Sequence, residues 1–241
     1  MKPNLSIVIP VCNEEESIRP LINEINRVVE PSLGYEIVVV DDGSGDRTVS
    51  ILSELKRELV QLRVVRHLQN SGQSTAVRTG VRAARATWIA TLDGDGQNDP
   101  ADISKLYWKL TREEHGDPLL VVAGYRKRRR DNWLKRFSSR AANAIRSRLL
   151  RDQTPDTGCG LKLFSRQGFL ELPYFDHMHR YIPALFLRQG GRVISVEVNH
   201  RPREQGVSKY GFHNRLWVGI VDLMGVRWLL NRAKNPEIEE I

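Results

Sequence analysis

Two carboxylates two residues apart, Asp93 and Asp95, follow the apolar run Trp88-Ile89-Ala90 in the stretch Thr91-Leu92-Asp93-Gly94-Asp95-Gly96-Gln97-Asn98-Asp99-Pro100. In extended backbone, residues i and i+2 project to the same side, so both carboxylates can reach one cation, and Gly94 and Gly96 let a ligand approach closely. Hard divalent ions such as Mg2+ and Mn2+ take oxygen ligands of this kind, usually one or two carboxylates completed by substrate phosphates and water. The competing reading is an Asp/Gly/Asn turn, which favours the same residue types. If the apolar run is a buried strand, its carboxyl end is a site for a metal and a phosphate.

The elements that must position this site come next. Asn4-Leu5-Ser6-Ile7-Val8-Ile9-Pro10 and Tyr35-Glu36-Ile37-Val38-Val39-Val40-Asp41-Asp42 are short apolar runs rich in β-branched residues, as strands buried on both faces are, and each ends in polar residues. The first leads into Cys12-Asn13-Glu14, the second into Gly43-Ser44-Gly45-Asp46. Apolar Ile18, Leu21, Ile22, Ile25 and Val28 predict a helix over 14–29. Further helices are predicted over 46–59 and 74–86, with a strand at Leu62-Arg63-Val64-Val65 between them. Such alternation makes a parallel βαβ sheet, whose ligands sit beyond the carboxyl ends of the strands. Three polar strand ends are therefore expected to converge on one crevice.

The motifs Ile9-Pro10-x-x-Asn13-Glu14, Val40-Asp41-Asp42-Gly43-Ser44-x-Asp46-x-Thr48, Asn70-x-Gly72-Gln73-x-x-Ala76, Asp93-x-Asp95-x-Gln97-x-x-Pro100 and Arg203-x-x-Gly206-x-Ser208-Lys209-Tyr210 occur in this order along the chain. Together they resemble the family 2 glycosyltransferases, and within them the polyprenyl-phosphate branch that includes dolichol-phosphate mannose synthase-like enzymes. The resemblance implies an α/β GT-A fold: a Rossmann-like, mostly parallel sheet flanked by helices, here with C-terminal amphipathic helices. It implies that Pro10, Asn13, Glu14, Asp41, Asp42, Ser44, Gln73 and Lys209 surround the sugar nucleotide, and that Asp93, Asp95 and Gln97 bind Mg2+ or Mn2+. The resemblance further implies that Arg203, with Ser208 and Lys209, closes over the phosphates, that Asp93, Asp95 and Arg203 carry the catalysis, and that Arg126, Arg136 and Ser139 take the acceptor phosphate. Gln73 stands where dolichol-type members carry Lys, and Gly94 and Gly96 where Ala and Leu are usual.

Structural alternatives stand beside these roles. Asp41 also suits a strand-end cap, Asp46 a helix N-cap, and Asn70-Ser71-Gly72 a simple turn. His177 and His179 read as structural or rim residues. Cys12 and Cys159 lack metal or disulfide spacing, which indicates a reducing, cytoplasmic setting.

With 241 residues, 40% hydrophobic and 27% charged, the chain has the composition of a globular enzyme with one sizeable core. The expected organisation is a catalytic domain over 1–209, divided into a nucleotide- and metal-binding part (1–124) and an acceptor part (125–209), followed by a helix and tail over 210–241. The net charge of +8 owes much to Arg126-Lys127-Arg128-Arg129-Arg130 and the basic residues after it, and 131–150 reads as a basic amphipathic helix. That helix suits either an anionic membrane surface or the flank of the sheet. The apolar stretch Leu216 to Leu230 is interrupted by Asp222 and Arg227, so it is expected to lie along a membrane, pack on the protein or pair subunits rather than span a bilayer. No signal peptide is expected, because Glu14 to Glu16 break the first apolar run. No helix-turn-helix, zinc-finger or RNP pattern supports a nucleic-acid partner.

By resemblance, the reaction is inverting transfer of a sugar from a UDP- or GDP-linked donor to a polyprenyl monophosphate at the cytoplasmic membrane face, the protein being peripheral or held by a membrane-embedded partner. Such an acceptor is already ionised, since phosphomonoesters have a second pKa of about 6, and needs no general base. A hydroxyl acceptor on a glycan is the first alternative, with Asp152 or Asp156 as base; a noncatalytic basic binding protein is the second. His179-Arg180-Tyr181-Ile182-Pro183 resembles a bacterial subgroup and favours UDP. The sugar stays open.

Overall fold

The computed structural model describes residues 3–113, 117, 119–126, 146–150, 152, 154–202, 212–234, 236 and 239, with the backbone alone at 31, 113 and 212–216. Seven strands form one sheet: β1 (Leu5–Val11), β2 (Tyr35–Asp42), β3 (Leu62–His67), β4 (Trp88–Thr91), β5 (Leu120–Arg126), β6 (Lys162–Ser165) and β7 (Arg192–Val198). Their order is β3-β2-β1-β4-β6-β5-β7. Every pairing is parallel except those of β6, which runs antiparallel to both β4 and β5.

Alternation along the strands builds a core on each face of the sheet. Leu5, Ile7, Ile9, Ile37 and Val39 point to the side covered by α1 (Ile18–Val28), α2 (Thr48–Glu58) and α4 (Asp102–Glu113). Val8, Val38, Ile89 and Phe164 point to the other, where α3 (Gln73–Ala83), α5 (Arg166–Leu170), α6 (Ile182–Arg188) and α7 (Phe212–Asn231) contribute Val77, Phe169, Phe186 and Val226. Strands buried on both faces are apolar throughout, which is why they read as unbroken runs.

The first helix begins at Ile18, four residues later than its apolar pattern predicts, because residues 13–15 bind the neighbouring loop instead. Asn13 takes left-handed backbone at φ 51°, and the Glu14 and Glu15 amides donate to Thr48 and Asp46 side chains. The third strand runs on to His67, past its apolar part, since Arg66 and His67 pair in register with Asp41 and Asp42. Of the predicted helix over 131–150, residues 146–150 are described and are helical; the rest lies outside the described residues.

The last helix, α7, packs Leu223, Val226, Leu229 and Leu230 onto the core. Its opposite side exposes Trp217, Val221, Met224 and Trp228, so it is apolar on both sides. No described helix is long and apolar enough to cross a membrane.

Candidate active site

The carboxyl ends of β2, β1 and β4 lie side by side, as Val11 pairs with Asp41 and the Leu92 amide continues the ladder to the Val8 carbonyl at 3.1 Å. Above them opens a cleft of about 560 Å3, lined among others by Pro10, Gln73, Asp93, Gln97, Arg126 and Lys162. The chain after β4 climbs its wall.

Asp93 is central to this cleft. Gln73 Nε2 donates to its Oδ1 at 2.9 Å. Burial first, and then the charge of Asp95, push the Asp93 carboxyl up to about 6, while Lys162, Arg126 and the Gln73 amide oppose the rise. Asp95 Oδ1 accepts the Gln97 amide at 3.2 Å, closing a tight turn. The turn reading of this motif therefore describes its backbone without excluding a metal role.

A divalent ion fits the residues present. The charge of Asp95 raises the proton affinity of Asp93, a repulsion that a shared cation would relieve, and the ligand atoms are hard oxygens. Among the described residues no group of three or more His, Cys, Asp and Glu side chains converges to hold a metal. The protein would thus supply the Asp93 and Asp95 carboxylates and the side-chain oxygen of Gln97 and leave positions for phosphate oxygens and water, as Mg2+ prefers.

On the other side of the crevice, hydrogen bonds join the first two strand-end loops. Asn13 N donates to Ser44 Oγ at 2.8 Å, and Gly45 N donates to Asn13 Oδ1 at 2.7 Å. Glu14 accepts Ser17 Oγ at 2.9 Å, and Ser17 also donates to the Gly94 carbonyl at 3.0 Å, linking this loop to the Asp93 turn. Asp41 is fully buried; its Oδ1 accepts Ser44 N at 3.3 Å, and Arg66 Nε lies 3.3 Å from Oδ2 without the alignment of a hydrogen bond. Asp46 Oδ1 accepts Thr48 N at 3.0 Å, but the N-cap position of α2 falls to Arg47, one residue after the Asp46 expected there. Asp42 is occupied elsewhere: its carboxylate accepts the Ser71 and Gly72 amides, each at 2.9 Å, and meets His67 Nδ1 at 2.7 Å. These contacts tie Asp42 to the loop before α3.

The opposite wall is cationic. Arg126 forms a two-pronged pair with Asp156, Nε to Oδ2 at 2.6 Å and Nη2 to Oδ1 at 3.0 Å. Lys162 is buried at the start of β6, where its Nζ donates to the Cys159 carbonyl. Burial lowers its pKa, against the pull of Cys159, Asp93 and Asp156. Arg180 and His179 complete this wall. The His179 imidazole is pushed down to about 3, by burial and then by the charges of Arg180, Lys162 and His177, so it is neutral.

Lys162, His179 and Arg180 did not stand out among the expected site residues. The available signal for Lys162 was a charge inside the segment Leu161-Lys162-Leu163-Phe164, where a strand buried on both faces has no other reason to hold one. Arg203, Lys209, Arg136 and Ser139 lie outside the described residues. The segment leading to Arg203 is nonetheless fixed at the turn after Asp93: Arg201 N donates to the Gln97 carbonyl at 2.9 Å, and His200 bridges Asn98. Arg201 also grips Glu24 at 2.8 and 2.9 Å and Asp99 at 3.0 Å.

Comparison with known proteins agrees with this architecture. The profile of the Glycosyl transferase family 2 matches residues 6–172. A dodecaprenyl-phosphate galacturonate synthase of Rhizobium johnstonii is 36% identical over 237 residues, covering 96% of this chain and 69% of its own length. An undecaprenyl-phosphate 4-deoxy-4-formamido-L-arabinose transferase of Edwardsiella ictaluri is 35% identical over 211 residues, covering 86% and 63%. The chain thus spans about two thirds of these relatives. Among solved structures, glucosyl-3-phosphoglycerate synthase of Mycobacterium tuberculosis with Mg2+ and UDP superposes with a TM-score of 0.68 at 18% identity, covering 98% of this chain and 81% of that one. A mannosyltransferase of Pyrobaculum calidifontis with GDP-Man and Mn2+ gives 0.69 at 19%, covering 98% and 66%. At such identities the likeness is one of fold. With a family profile spanning most of the chain and a relative this similar over nearly all of it, the protein belongs to the glycosyl transferase family 2.

Proposed function

We propose that the protein moves a sugar from a nucleoside-diphosphate sugar to a polyprenyl monophosphate, inverting the anomeric carbon. The observation that carries this reading is the state of the two carboxylates a hydroxyl acceptor would need as base. Asp156 is bound by Arg126, and Asp152 by Arg146 Nη1 at 2.6 Å and the Thr154 amide at 2.7 Å. Both are engaged in ion pairs, whereas a phosphate acceptor arrives ionised and calls for no base. Both relatives are named for polyprenyl-phosphate products, which favours the same acceptor.

Asp93, Asp95 and Gln97 would hold Mg2+ or Mn2+, which when bound neutralises the charge of the departing nucleoside diphosphate. Gln73 orients Asp93. Pro10, Asn13, Glu14, Asp41 and Ser44 form the nucleotide side, with UDP the favoured base over GDP, and Asp42 positions the loop before α3. Arg203 and Lys209 are assigned to the phosphates, and Arg126, Arg136 and Ser139 to the acceptor. Arg126 enters this role with its guanidinium already fixed by Asp156 and able to present its remaining N–H bonds to a phosphate. Positioning and preorganised charge supply most of the acceleration. Residues 1–209 act as the catalytic domain, and the exposed side of α7 seats the protein on the cytoplasmic membrane face or on a membrane-embedded partner.

The test is sugar transfer from a panel of UDP- and GDP-sugars, with Mg2+ or Mn2+, to a short-chain prenyl phosphate and to glycan alcohols. Transfer to the phosphate alone is expected, and Asp93→Asn or Asp95→Asn should reduce it by orders of magnitude while cooperative unfolding is kept. Transfer to alcohols alone, or near-normal rates in both variants, overturns the assignment.

A further inference from the structure

Ser74 lies buried in the first turn of α3, directly after Gln73, and meets one residue of the opposite wall twice. Its Oγ accepts the His179 backbone N–H at 3.2 Å and lies 2.7 Å from His179 Nδ1. A serine hydroxyl has a single proton, and among the described residues Ser74 Oγ has no other acceptor within reach. A buried hydroxyl proton left unpaired is costly, so it points at Nδ1. Nδ1 is then the acceptor, and the proton of the neutral ring sits on Nε2. Nε2 has no hydrogen-bond partner among the described residues, and the ring lines the cleft.

The same cleft presents Arg126, Lys162 and Arg180. Those cations suit phosphates. An uncharged N–H adds little to a phosphate already so provided, and it matches instead the neutral oxygens of a sugar. We propose that His179 is a specificity-determining residue for the transferred sugar: Ser74 fixes its tautomer, and its Nε2–H donates a hydrogen bond to an oxygen of the glycosyl group. This rests on the reading of the cleft as a sugar-nucleotide site. It also removes His179 as a general base, since Nε2 already carries a proton and Nδ1 is engaged.

Three variants test it: His179→Phe, which keeps a ring without a donor; His179→Gln, whose amide restores a donor near Nε2; and Ser74→Ala, which releases the tautomer. Calorimetric binding of UDP, GDP, UDP-glucose, UDP-galacturonic acid and GDP-mannose is measured for each. His179→Phe is expected to weaken a sugar nucleotide about three- to tenfold relative to the matching diphosphate, as loss of one neutral hydrogen bond does, with recovery in His179→Gln. The 15N spectrum of the wild-type ring should show protonation on Nε2, unchanged between pH 5 and 8, and a tautomer mixture in Ser74→Ala.

Equal weakening of diphosphate and sugar nucleotide, or protonation on Nδ1, overturns the proposal and leaves the transferase reading intact. A raised KM for prenyl phosphate with unchanged donor binding assigns the contact to the acceptor and likewise overturns it. A wild type that binds none of these nucleotides sinks the sugar-nucleotide reading and this proposal with it.

Discussion

Gly160 lies so close beneath Asp93 that a Cβ built on it would stand 2.1 Å from Oδ2 and 2.3 Å from Cγ. The contact is held from the other side as well, because Thr91 Oγ1, two residues before Asp93, donates to the Gly160 carbonyl at 2.7 Å. The strand that carries Asp93 and the segment leading into β6 are thus clamped around the carboxylate. Gly160→Ala is expected to displace it by the order of an ångström, at which scale misplaced catalytic groups lose about 100-fold in rate. Steady-state transfer should fall by that order and Mn2+ titration should weaken, while the unfolding transition stays cooperative. Unchanged kinetics would mean that Asp93 tolerates the shift.

The raised Asp93 carboxyl makes a prediction about pH. Its folded pKa, about 6 against the ordinary 3.8, means that this group adds stability below about pH 4 and loses it as pH rises through 6. In metal-free protein at pH 8, Asp93→Asn should therefore melt at a higher temperature than wild type, and the difference should shrink towards pH 4. A divalent ion has the opposite preference, since it needs the carboxylate deprotonated. Stabilisation of the wild type by Mg2+ or Mn2+ should accordingly fade as pH drops through 6, and differential scanning fluorimetry across pH 4–8 reads both effects.

The legible part of this molecule is the part where chemistry and sequence order coincide. β2 has the limits its apolar run predicts, Tyr35–Asp42, and Pro10, Gln73, Asp93 and Gln97 do line one cleft. Less legible was whatever depends on residues far apart in sequence. Asp42 looks like its neighbour Asp41, and only the folded chain reveals that two backbone amides 29 and 30 residues later claim it. The partnership of Ser74 with His179 spans 105 residues, and no local period announces it. β6 was hidden for another reason: it is four residues long, it begins with a buried lysine, and it runs against its neighbours on both sides.

Asp42 is therefore expected to behave as a support for the site. Asp42→Ala leaves the Ser71 and Gly72 amides and His67 without their shared acceptor, and loss of hydrogen bonds to a buried charged group costs about 3 kcal/mol. Denaturant unfolding should register that cost directly. Donor binding should weaken as well, because the released loop leads straight into Gln73 and the first turn of α3. Asp42→Asn keeps an acceptor oxygen for one amide and should recover part of both losses. A variant with wild-type stability but lost donor binding would restore the direct nucleotide contact for Asp42.

The outer side of α7 offers the clearest separation between folding and function. Trp217, Val221, Met224 and Trp228 are 71%, 65%, 62% and 59% exposed, and their spacing of four, three and four residues sets them in one stripe about 17 Å long. Arg232 stacks on Trp228, with its Cζ 5.9 Å from the ring centroid, so a cation borders the apolar stripe where lipid headgroups would lie. Indole rings with one wet edge favour that interface. Replacing both tryptophans by serine is expected to leave the melting temperature within about 2 °C of wild type, as exposed positions contribute little to stability. Cosedimentation with vesicles containing anionic lipid should fall several-fold. If the double variant instead stays bound to vesicles and changes its sedimentation coefficient, the stripe joins subunits, and contact with the membrane must come from elsewhere in the chain.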